Sequence, residues 1–432
     1  MQLYFRQPIA IVLLCGLGIV VGTRGIVPAV TKVDTDFPNY FTAAKIVANR
    51  GDVDRLYDDQ WFQGQMRQFQ FERPSEGKFS PFPPPTALLM VPLTSLAPLD
   101  ALRVMTGLSL LGLAGSIILL SRILAWRLID SAIFILLSGY AVLNSLRLGQ
   151  PYILISASCL LGYYARLKGR PLIAGLCFGL FSPIKYFPIV ILIYLAFRKE
   201  WRVVLGGAMA IAAVASVSIG VMGWKIHQDF LLSVLGNHLT AHLSMQDPFA
   251  VSFQSFDTLF RRLFVYDAAS NPQPFVASAS FASIAVTATK GSILAAAVLT
   301  LVRLNRRGGE AVAPSIGLLG IVTLLLAPAT ATYHFCLLWL PIGLLIRCFL
   351  LEGAAPFAYF VLGAYALIGF FPYGRSNLFA GRGALGMLAF PRLFLLLAMF
   401  MASVYFVWSR AAGPVRGAAP TNPDAGGGTG AR

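Results

Sequence analysis

The stretch PLIAGLCFGLFSPIKYFPIVILIYLAF, residues 171–197, decides the fold class. Read as one helix, it is long for a membrane crossing and carries Lys185 and two prolines in its middle. Read as a hairpin of two short helices, it turns at SPIKY, residues 182–186, and brings Lys185 to a membrane surface. The alternation of the basic connections, described below, favours the hairpin, which is the interpretation that we predict.

The rest of the chain repeats this apolar character. Of its 432 residues, 57% are hydrophobic and only 12% are charged, which is about half the charged fraction of soluble domains. The apolar runs reach about 16–22 residues and lack the alternation of a membrane barrel. We therefore predict an all-α polytopic membrane protein with about twelve transmembrane helices, at 8–28, 101–121, 129–146, 151–166, 171–184, 186–198, 203–223, 282–302, 314–332, 335–350, 356–372 and 390–409.

The basic residues predict the orientation of these helices. They concentrate in short connections, where Lys and Arg mark the cytoplasmic side, so the net charge of +16 requires no nucleic-acid partner. Placing these connections with Arg6 and the C-terminal tail in the cytoplasm gives a consistent alternation through all twelve helices. The connections are SRILAWR (121–127), ARLKGRP (165–171), FRKEWR (197–202) and RLNRRGGE (303–310).

This alternation divides the chain into one integral membrane domain, residues 1–410, and a disordered cytoplasmic tail, residues 411–432. Two large extracytoplasmic loops are expected, at about 29–84, with juxtamembrane helices, and at about 224–281. The proline-rich segment 82–100 would reverse every later loop if it crossed the membrane. We therefore expect it to follow a broken path that dips or lies beside the membrane.

Two carboxylates stand at the start of the first loop, in VDTDFPNYFTAAKI, residues 33–46. The apolar pattern after Asp36 predicts a short helix lying on the membrane, with Asp36 near its N-terminal end. A carboxylate partly removed from water there could act as a general base. Alternatively, Asp34 or Asp36 caps the helix, which is the commoner role of such aspartates.

Other polar residues are expected at the same outer surface. Arg147 and Gln150 belong to NSLRLGQPYILI (144–155), and basic residues on the outer face are suited to binding phosphate, although a boundary arginine is more often a membrane anchor. Gln254 and Arg261 lie in a segment that is either an interfacial helix or a phosphate- or acceptor-binding loop. His334 is more often a hydrogen-bonded interfacial residue than a catalytic one.

These motifs, in this order, resemble glycosyltransferase family 87, which has the membrane GT-C architecture. DFPNYFTAAKIVANRGDVDRLYD is similar to the opening of that family, and LRLGQPYILI to its Arg-x-Gly-Gln turn. FSPFPPPTALLMVPLTSLAP, PIKYFPIVILIYLAFRKEWR, SFQSFDTLFRRL and APATATYHFCLLWLP are similar to its later motifs. Phe253 stands where the family usually has Asn, and Ala327 where it usually has Ser.

The resemblance implies a function and a site. It implies a glycosyltransferase that moves a hexose or pentose, mannose favoured, from a polyprenyl-phosphate donor to a lipid-linked or cell-envelope glycan acceptor, with inversion and on the extracytoplasmic side of the cell membrane. Asp36 matches the catalytic base, and no metal or cofactor is implied. The cations that would bind the donor phosphate are Arg147, Lys185 and Arg261, and the other candidate site residues are Asp34, Tyr40, Gln150, Gln254 and His334.

Two other classes of function remain open from the residues alone. A secondary transporter is expected to show inverted repeats and ionisable residues at the membrane midplane, whereas here no repeat is clear and the polar candidates lie near the outer surface. A non-catalytic component that binds a polyprenyl lipid is the third possibility.

Overall fold

A computed structural model gives the structure of the protein and describes residues 5–69, 71, 77–239, 247–306, 308–371 and 377–410. Over these ranges the regular structure is helical, apart from an isolated antiparallel bridge between Asp267 and Asn271. The tail 411–432, which we predict to be disordered, lies outside the described residues.

The α-helices run as follows in chain order: α1 Gln7–Val21, α2 Val27–Thr31, α3 Phe37–Ala48, α4 Asp59–Gln68, α5 Pro98–Leu124, α6 Leu128–Leu136, α7 Tyr140–Arg147, α8 Tyr152–Leu167, α9 Pro171–Leu180, α10 Ile189–Phe197, α11 Trp201–Met222, α12 Lys225–Asp229, α13 Leu235–Leu239, α14 Phe256–Phe264, α15 Ala279–Asn305, α16 Val312–Leu326, α17 Trp339–Leu351, α18 Ala355–Phe370 and α19 Pro391–Ser409. A π-helical turn, Gly22–Ile26, joins α1 to α2, and a second one, Phe230–Val234, joins α12 to α13. The 3₁₀ segments are Val53–Arg55, Pro84–Leu89, Val91–Leu93, Gly308–Ala311, Thr332–Leu338, Asn377–Phe379 and Gly383–Ala389.

The long helices confirm a polytopic membrane protein. Six described helical segments are long and apolar enough to cross a membrane, and the pair α6 and α7, bent by 74°, would make a seventh. The other five predicted spans are α8, α9, α10, α16 and α18, which have only 9 to 16 residues, whereas a straight crossing needs about 20. Length and composition therefore support six or seven of the twelve predicted spans.

Three of the four basic connections, 165–171, 197–202 and 303–310, lie close together. Arg166 pairs with Glu200 at 2.6 Å, and Arg198 donates to the carbonyl oxygen of Gly308 at 2.8 Å. Arg303 donates to the carbonyl oxygen of Arg410 at 3.2 Å. These contacts join the ends of α8, α10, α15 and α19, as the predicted alternation requires.

The segment 82–100 follows the broken path that the prolines predict. It forms two short 3₁₀ turns before α5 begins at Pro98, and the first turn is buried against α3. Proline removes the backbone donors that a continuous helix needs, so the chain satisfies its polar groups by packing on protein.

Residues 171–197 form two helices, as predicted, with Lys185 in the break between α9 and α10. Glycine allows α9 to lie directly against α11. A Cβ added at Gly175 would overlap the carbonyl oxygen of Val203, and one at Gly179 would overlap that of Gly207. Such small-residue contacts let membrane helices approach closely.

The helix after Asp36 exists, but protein covers it on all sides, whereas the predicted amphipathic helix would leave one face uncovered. Nine of the twelve residues of α3 are buried, and they lie on every face of the helix. The 3₁₀ turns of residues 84–93 and the start of α5 cover it, and two clusters of buried apolar side chains enclose it. Because the proline-rich segment folds over α3, the helix carries Asp36 into the protein.

Candidate active site

Asp36 occupies the residue before α3 but does not cap it. Its side chain makes no capping hydrogen bond to that helix, which counts against the capping role for Asp36. One carboxylate oxygen instead accepts a hydrogen bond from Nε2 of Gln150 at 2.7 Å, and the hydroxyl of Tyr333 also hydrogen-bonds to the carboxylate. Two donors from distant parts of the chain therefore fix its orientation.

A second layer of contacts fixes Gln150. Its Oε1 accepts a hydrogen bond from the hydroxyl of Tyr40 at 2.7 Å, and its backbone N–H donates to the carbonyl oxygen of Ser145 at 2.9 Å. Both Gln150 and Tyr40 are fully buried. The amide of Gln150 therefore has one orientation that serves Tyr40 and Asp36 together, with its nitrogen on the carboxylate.

Gly149 explains why this turn can approach α3. Its φ of +63° is a conformation that L side chains rarely adopt, and an added Cβ would lie 2.6 Å from Cδ2 of Phe37. Gly149 thus provides both the backbone conformation and the space that place Gln150 beside Asp36.

Burial moves the pKa of Asp36 upward. Loss of hydration disfavours the carboxylate and raises its pKa above the usual value of about 3.9, while the Gln150 hydrogen bond and the charge of Lys185 partly oppose this. A carboxylate with a raised pKa is a stronger base than a solvated one, and it keeps one face on a cavity where a hydroxyl group could lie.

Lys185 lies at the same cavity among aromatic rings. Its Nζ is 3.9 Å from the ring centroid of Phe82 and 5.6–5.7 Å from those of Tyr152 and Tyr40. Burial lowers the pKa of Lys185 to about 7, and the charge of Asp36 opposes this shift. The ring faces favour the cation, and its weak hydration prepares it to bind an anion.

The cavity that joins these residues has a volume of about 310 Å³. Seven separate parts of the chain form its wall: the start of α3, the segment 77–83, the start of α8, the break before α10, His238, Phe253 and the segment 327–334. Among its lining side chains are Asp36, Asn39, Lys78, Phe82, Tyr152, Lys185, Tyr186, Phe187, His238, Phe253, Tyr333 and His334.

His334 belongs to this wall. Its Nδ1 accepts a hydrogen bond from the backbone N–H of Ala331 at 3.2 Å. Its ring packs against Tyr152, Phe187 and Tyr333, with centroids 4.7, 5.3 and 5.0 Å away. The occupied Nδ1 leaves Nε2 as the nitrogen through which His334 would act on a ligand.

Three of the other candidates lie away from the cavity lining. Arg147 pairs with Asp34 at 2.7 Å, and both keep part of their side chains exposed. Gln254 donates to the carbonyl oxygens of Val251 and Ala389 and holds the loop together. Its neighbour Phe253 lines the cavity instead.

Arg261 lies in a different place, beside a second cavity between α14 and α15. Of the three cations that we expected to bind the donor phosphate, Lys185 is the one that lines the Asp36 cavity. Sequence order indicated that all three lie near the outer surface, but it carried no information on which side of α14 faces the cavity.

Several cavity residues were not among the sequence candidates. Tyr152, Tyr186 and Tyr333 lie inside the quoted motifs. They stand within two residues of Gln150, Lys185 and His334 in the sequence, and this closeness is the signal that could have identified them. Lys78 and His238, the latter in the short helix α13, belong to no motif quoted above. The hydroxyl of Tyr186 lies 2.6 Å from Nε2 of His238, which ties this part of the second loop to the wall.

Two polar groups on the wall offer further ligand contacts. Oδ1 of Asn39 has no hydrogen-bond partner among the described residues, and Asn39 lines the cavity. Burial lowers the pKa of Lys78, with the charge of Asp59 opposing it. The residues that the structure describes contain no group of three or more His, Cys, Asp or Glu side chains that could hold a metal ion.

A family model described as glycosyltransferase family 87 matches residues 81–329, which is more than half of the 432-residue chain. The matched part contains Gln150, Lys185 and Phe253, whereas Asp36 and His334 lie outside it. No match is found among curated proteins.

Proposed function

Because the chain belongs to glycosyltransferase family 87 and is a multi-pass membrane protein, we propose that it transfers a sugar from a polyprenyl-phosphate donor to a lipid-linked or cell-envelope glycan acceptor. Mannose is the favoured sugar, by the motif resemblance. The transfer takes place at the extracytoplasmic surface of the cell membrane. Glycosyltransferase activity itself follows from the family.

One observation carries the proposal: the partly buried carboxylate of Asp36 and the buried Lys185 line the same cavity. In the proposed reaction, an acceptor hydroxyl attacks the anomeric carbon and Asp36 takes its proton. The bond between that carbon and the phosphate oxygen breaks, and the polyprenyl phosphate leaves with the bonding electrons. The new bond forms on the face opposite the leaving group, so the anomeric configuration inverts.

The leaving phosphate stays anionic and requires cations rather than a general acid. Lys185 supports this role because it lies at the Asp36 cavity, with its ammonium group among aromatic rings. Lys78 is the second cation of the same wall. Arg147 and Arg261 keep their predicted phosphate-binding role only if the donor reaches beyond this cavity.

The sugar would contact the polar groups that remain. Asn39 offers an acceptor for a sugar hydroxyl, and the rings of Tyr152, Tyr186 and Phe187 offer the apolar faces on which sugar rings stack. Nε2 of His334 lies in the same wall, and we propose that it orients the donor.

A donor screen tests the proposal. The purified full-length protein, in liposomes with a membrane lipid extract as acceptor, is incubated with polyprenyl-phosphate mannose, glucose or arabinose carrying a labelled sugar. We expect label in a product from the mannose donor, with the anomeric configuration opposite to that of the donor. Transfer with retention, or transfer from nucleotide sugars and not from lipid donors, would contradict the proposed reaction.

A further inference from the structure

A second cavity lies between α14 and α15, apart from the Asp36 cavity. Its volume of about 750 Å³ is larger than the 310 Å³ of the first. One stripe of α14 contributes Asp257, Arg261 and the adjoining Val265. The facing stripe of α15 contains Ala279, Ala282, Ser283, Val286, Thr287, Lys290, Gly291 and Leu294, and we call this cavity the α14–α15 groove.

The groove opens to the outside of the membrane-spanning part. In the most apolar window of α15, only 17% of the residues are buried, so most of this helix would face lipid. Ser283, Thr287, Gly291 and Leu294 are exposed along the groove. Small side chains over most of the stripe leave a channel beside the helix that is wide enough for an alkyl chain.

Lys290 is a charge inside a membrane-spanning helix. It is the twelfth residue of α15, about 17 Å along the helix from its start at the rise of an α-helix. Ionisable residues at such a depth are costly and usually serve a binding or transport function. Lys290 forms an ion pair with Asp257, and the two side chains are only 19% and 11% exposed.

A second cation stands beside this ion pair. Arg261 stands one helical turn after Asp257 on the same stripe of α14, and its charge acts on the Asp257 carboxylate. Two cations and one anion are therefore among the described residues that line the groove. A phosphate would meet a guanidinium and an ammonium there, the two groups that bind phosphate most strongly.

The position of α14 is fixed by aromatic contacts. Phe256, Phe260 and Phe264 stack along the neighbouring stripe, with centroids 6.0 and 6.1 Å apart, and Phe264 meets Phe281 of α15 edge-on at 4.7 Å. The contact between Phe264 and Phe281 and the ion pair between Asp257 and Lys290 join the two helices at two points along the groove.

We propose that the α14–α15 groove binds the phosphate of an anionic membrane phospholipid. Arg261 and Lys290 contact the phosphate, and one acyl chain lies along the small residues of α15 toward Leu294. A free phosphate ion would bind less tightly than a phospholipid, because only the lipid would also bury an acyl chain against the apolar wall. This binding goes beyond sugar transfer and does not require the lipid to be a substrate.

The groove is connected to the Asp36 cavity by adjoining residues. Leu326 lines the groove, and the next residue, Ala327, lines the cavity. Ser255, which caps α14, donates to the carbonyl oxygen of Pro328 at 2.7 Å. A lipid in the groove would therefore lie directly behind one wall of the cavity.

Native mass spectrometry of the purified full-length protein tests the proposal. The protein is mixed with phosphatidylglycerol or phosphatidylcholine, and the retained lipid is measured. We expect preferential retention of phosphatidylglycerol and, with Arg261→Gln, a loss of affinity of about tenfold, since a charge-assisted contact is removed. Arg261→Lys keeps the charge and should retain most of the binding, and Arg202→Gln, an exposed cation at the start of α11, is the matched control.

A steric variant makes the test independent of charge. An added Cβ at Gly291 meets no atom within 4 Å, so Gly291→Leu fills the groove without disturbing the fold, and we expect it to lower lipid retention as well. Unchanged retention in both Arg261→Gln and Gly291→Leu would overturn the proposal. So would an equal loss with Arg202→Gln, or displacement of the lipid by the same concentration of glycerol phosphate.

Discussion

At the scale of single residues, Asp36 and Lys185 share a cavity, and burial acts on them in opposite directions. It raises the pKa of the carboxyl group and lowers that of the ammonium group to about 7. Each charge stabilises the other, because the charge of Asp36 opposes the fall in the pKa of Lys185 and the charge of Lys185 opposes the rise in the pKa of Asp36. The proposed reaction requires both charged forms at once, with Asp36 unprotonated and Lys185 protonated.

The pH dependence of kcat/KM follows from these two shifts. Transfer should fall as the pH decreases through the raised pKa of Asp36, above the ordinary value of about 3.9. It should also fall as the pH increases through about 7, where Lys185 loses its proton. Initial rates at low donor concentration over pH 4 to about 9 should therefore give a bell-shaped profile.

The variant Lys185→Arg tests whether Lys185 is the group whose loss of a proton lowers transfer at high pH. Arginine stays protonated over this range, so the variant should keep transfer at high pH. The decline at low pH should stay where it is in the wild type, because the positive charge beside Asp36 is retained. An alkaline decline identical to that of the wild type would assign it to another group and contradict the role of Lys185.

Motif resemblance could identify Asp36, Gln150, Lys185 and His334, and the structure brings these four together. It could not separate them from Arg147 or Arg261. A cation at the right depth can lie on any side of its helix, and partners such as Asp34 or Asp257 become visible only in three dimensions. Lys78 and His238 carry no local signal because neither belongs to a recognisable motif, and only the fold brings them to the cavity.

At the scale of structural elements, the turn at Gly149 links the membrane part to the segment that carries Asp36. The turn has a positive φ, and Phe37 leaves no room for a side chain. Gln150 reaches Asp36 only while this approach is kept. The sequence LGQP indicated a tight polar turn, and the structure adds that its glycine is needed for contact with α3.

Gly149→Ala should lower both stability and transfer. The φ angle alone costs about 1–3 kcal/mol, and the clash with Phe37 adds to it and displaces Gln150. Gly169→Ala is the matched control, since Gly169 has a φ of +68° but no atom within 4 Å of an added Cβ. In thermal unfolding in detergent, Gly149→Ala should melt at a lower temperature than Gly169→Ala, and equal melting temperatures would contradict the close approach.

The contact between α9 and α11 gives a second prediction at this scale. Gly179→Leu would force a side chain into the backbone of Gly207, so overpacking should destabilise the protein by about 1–3 kcal/mol or more. Gly107→Leu on the exposed side of α5 should have little effect, because its added Cβ meets no atom within 4 Å. Both are compared by thermal unfolding, and an equal loss in the two variants would refute this packing.

At the scale of the whole molecule, three of the four basic connections lie together, and the Asp36 cavity lies at the other ends of α8 and α10. In α8, Tyr152 at the start lines the cavity, and Arg166 near the end pairs with Glu200. The charge pattern therefore predicted that the ends of α8, α10 and α15 lie together. It could not predict that five of the helices are short, because tertiary packing bends and interrupts apolar segments.

The orientation in the membrane is a separate prediction, tested by labelling in a variant without the native cysteines. Gln60→Cys, exposed on α4, should react with a membrane-impermeant maleimide in intact cells. Lys168→Cys, exposed in the connection after α8, should react only after permeabilisation. The reverse pattern would place the Asp36 cavity on the cytoplasmic side and contradict the proposed orientation.

The central claim is that Asp36 is the general base, and single-turnover transfer from the labelled lipid donor tests it most directly. Asp36→Asn keeps the size of the side chain and can still accept a hydrogen bond, but it cannot take the proton. We predict a loss in rate of about 10²–10⁴-fold. Asp34→Asn, two residues away and paired with Arg147, should lose about fivefold at most, since exposed ion pairs contribute little. If Asp36→Asn, folded and inserted in the membrane, transfers sugar at the wild-type rate, Asp36 is not the base.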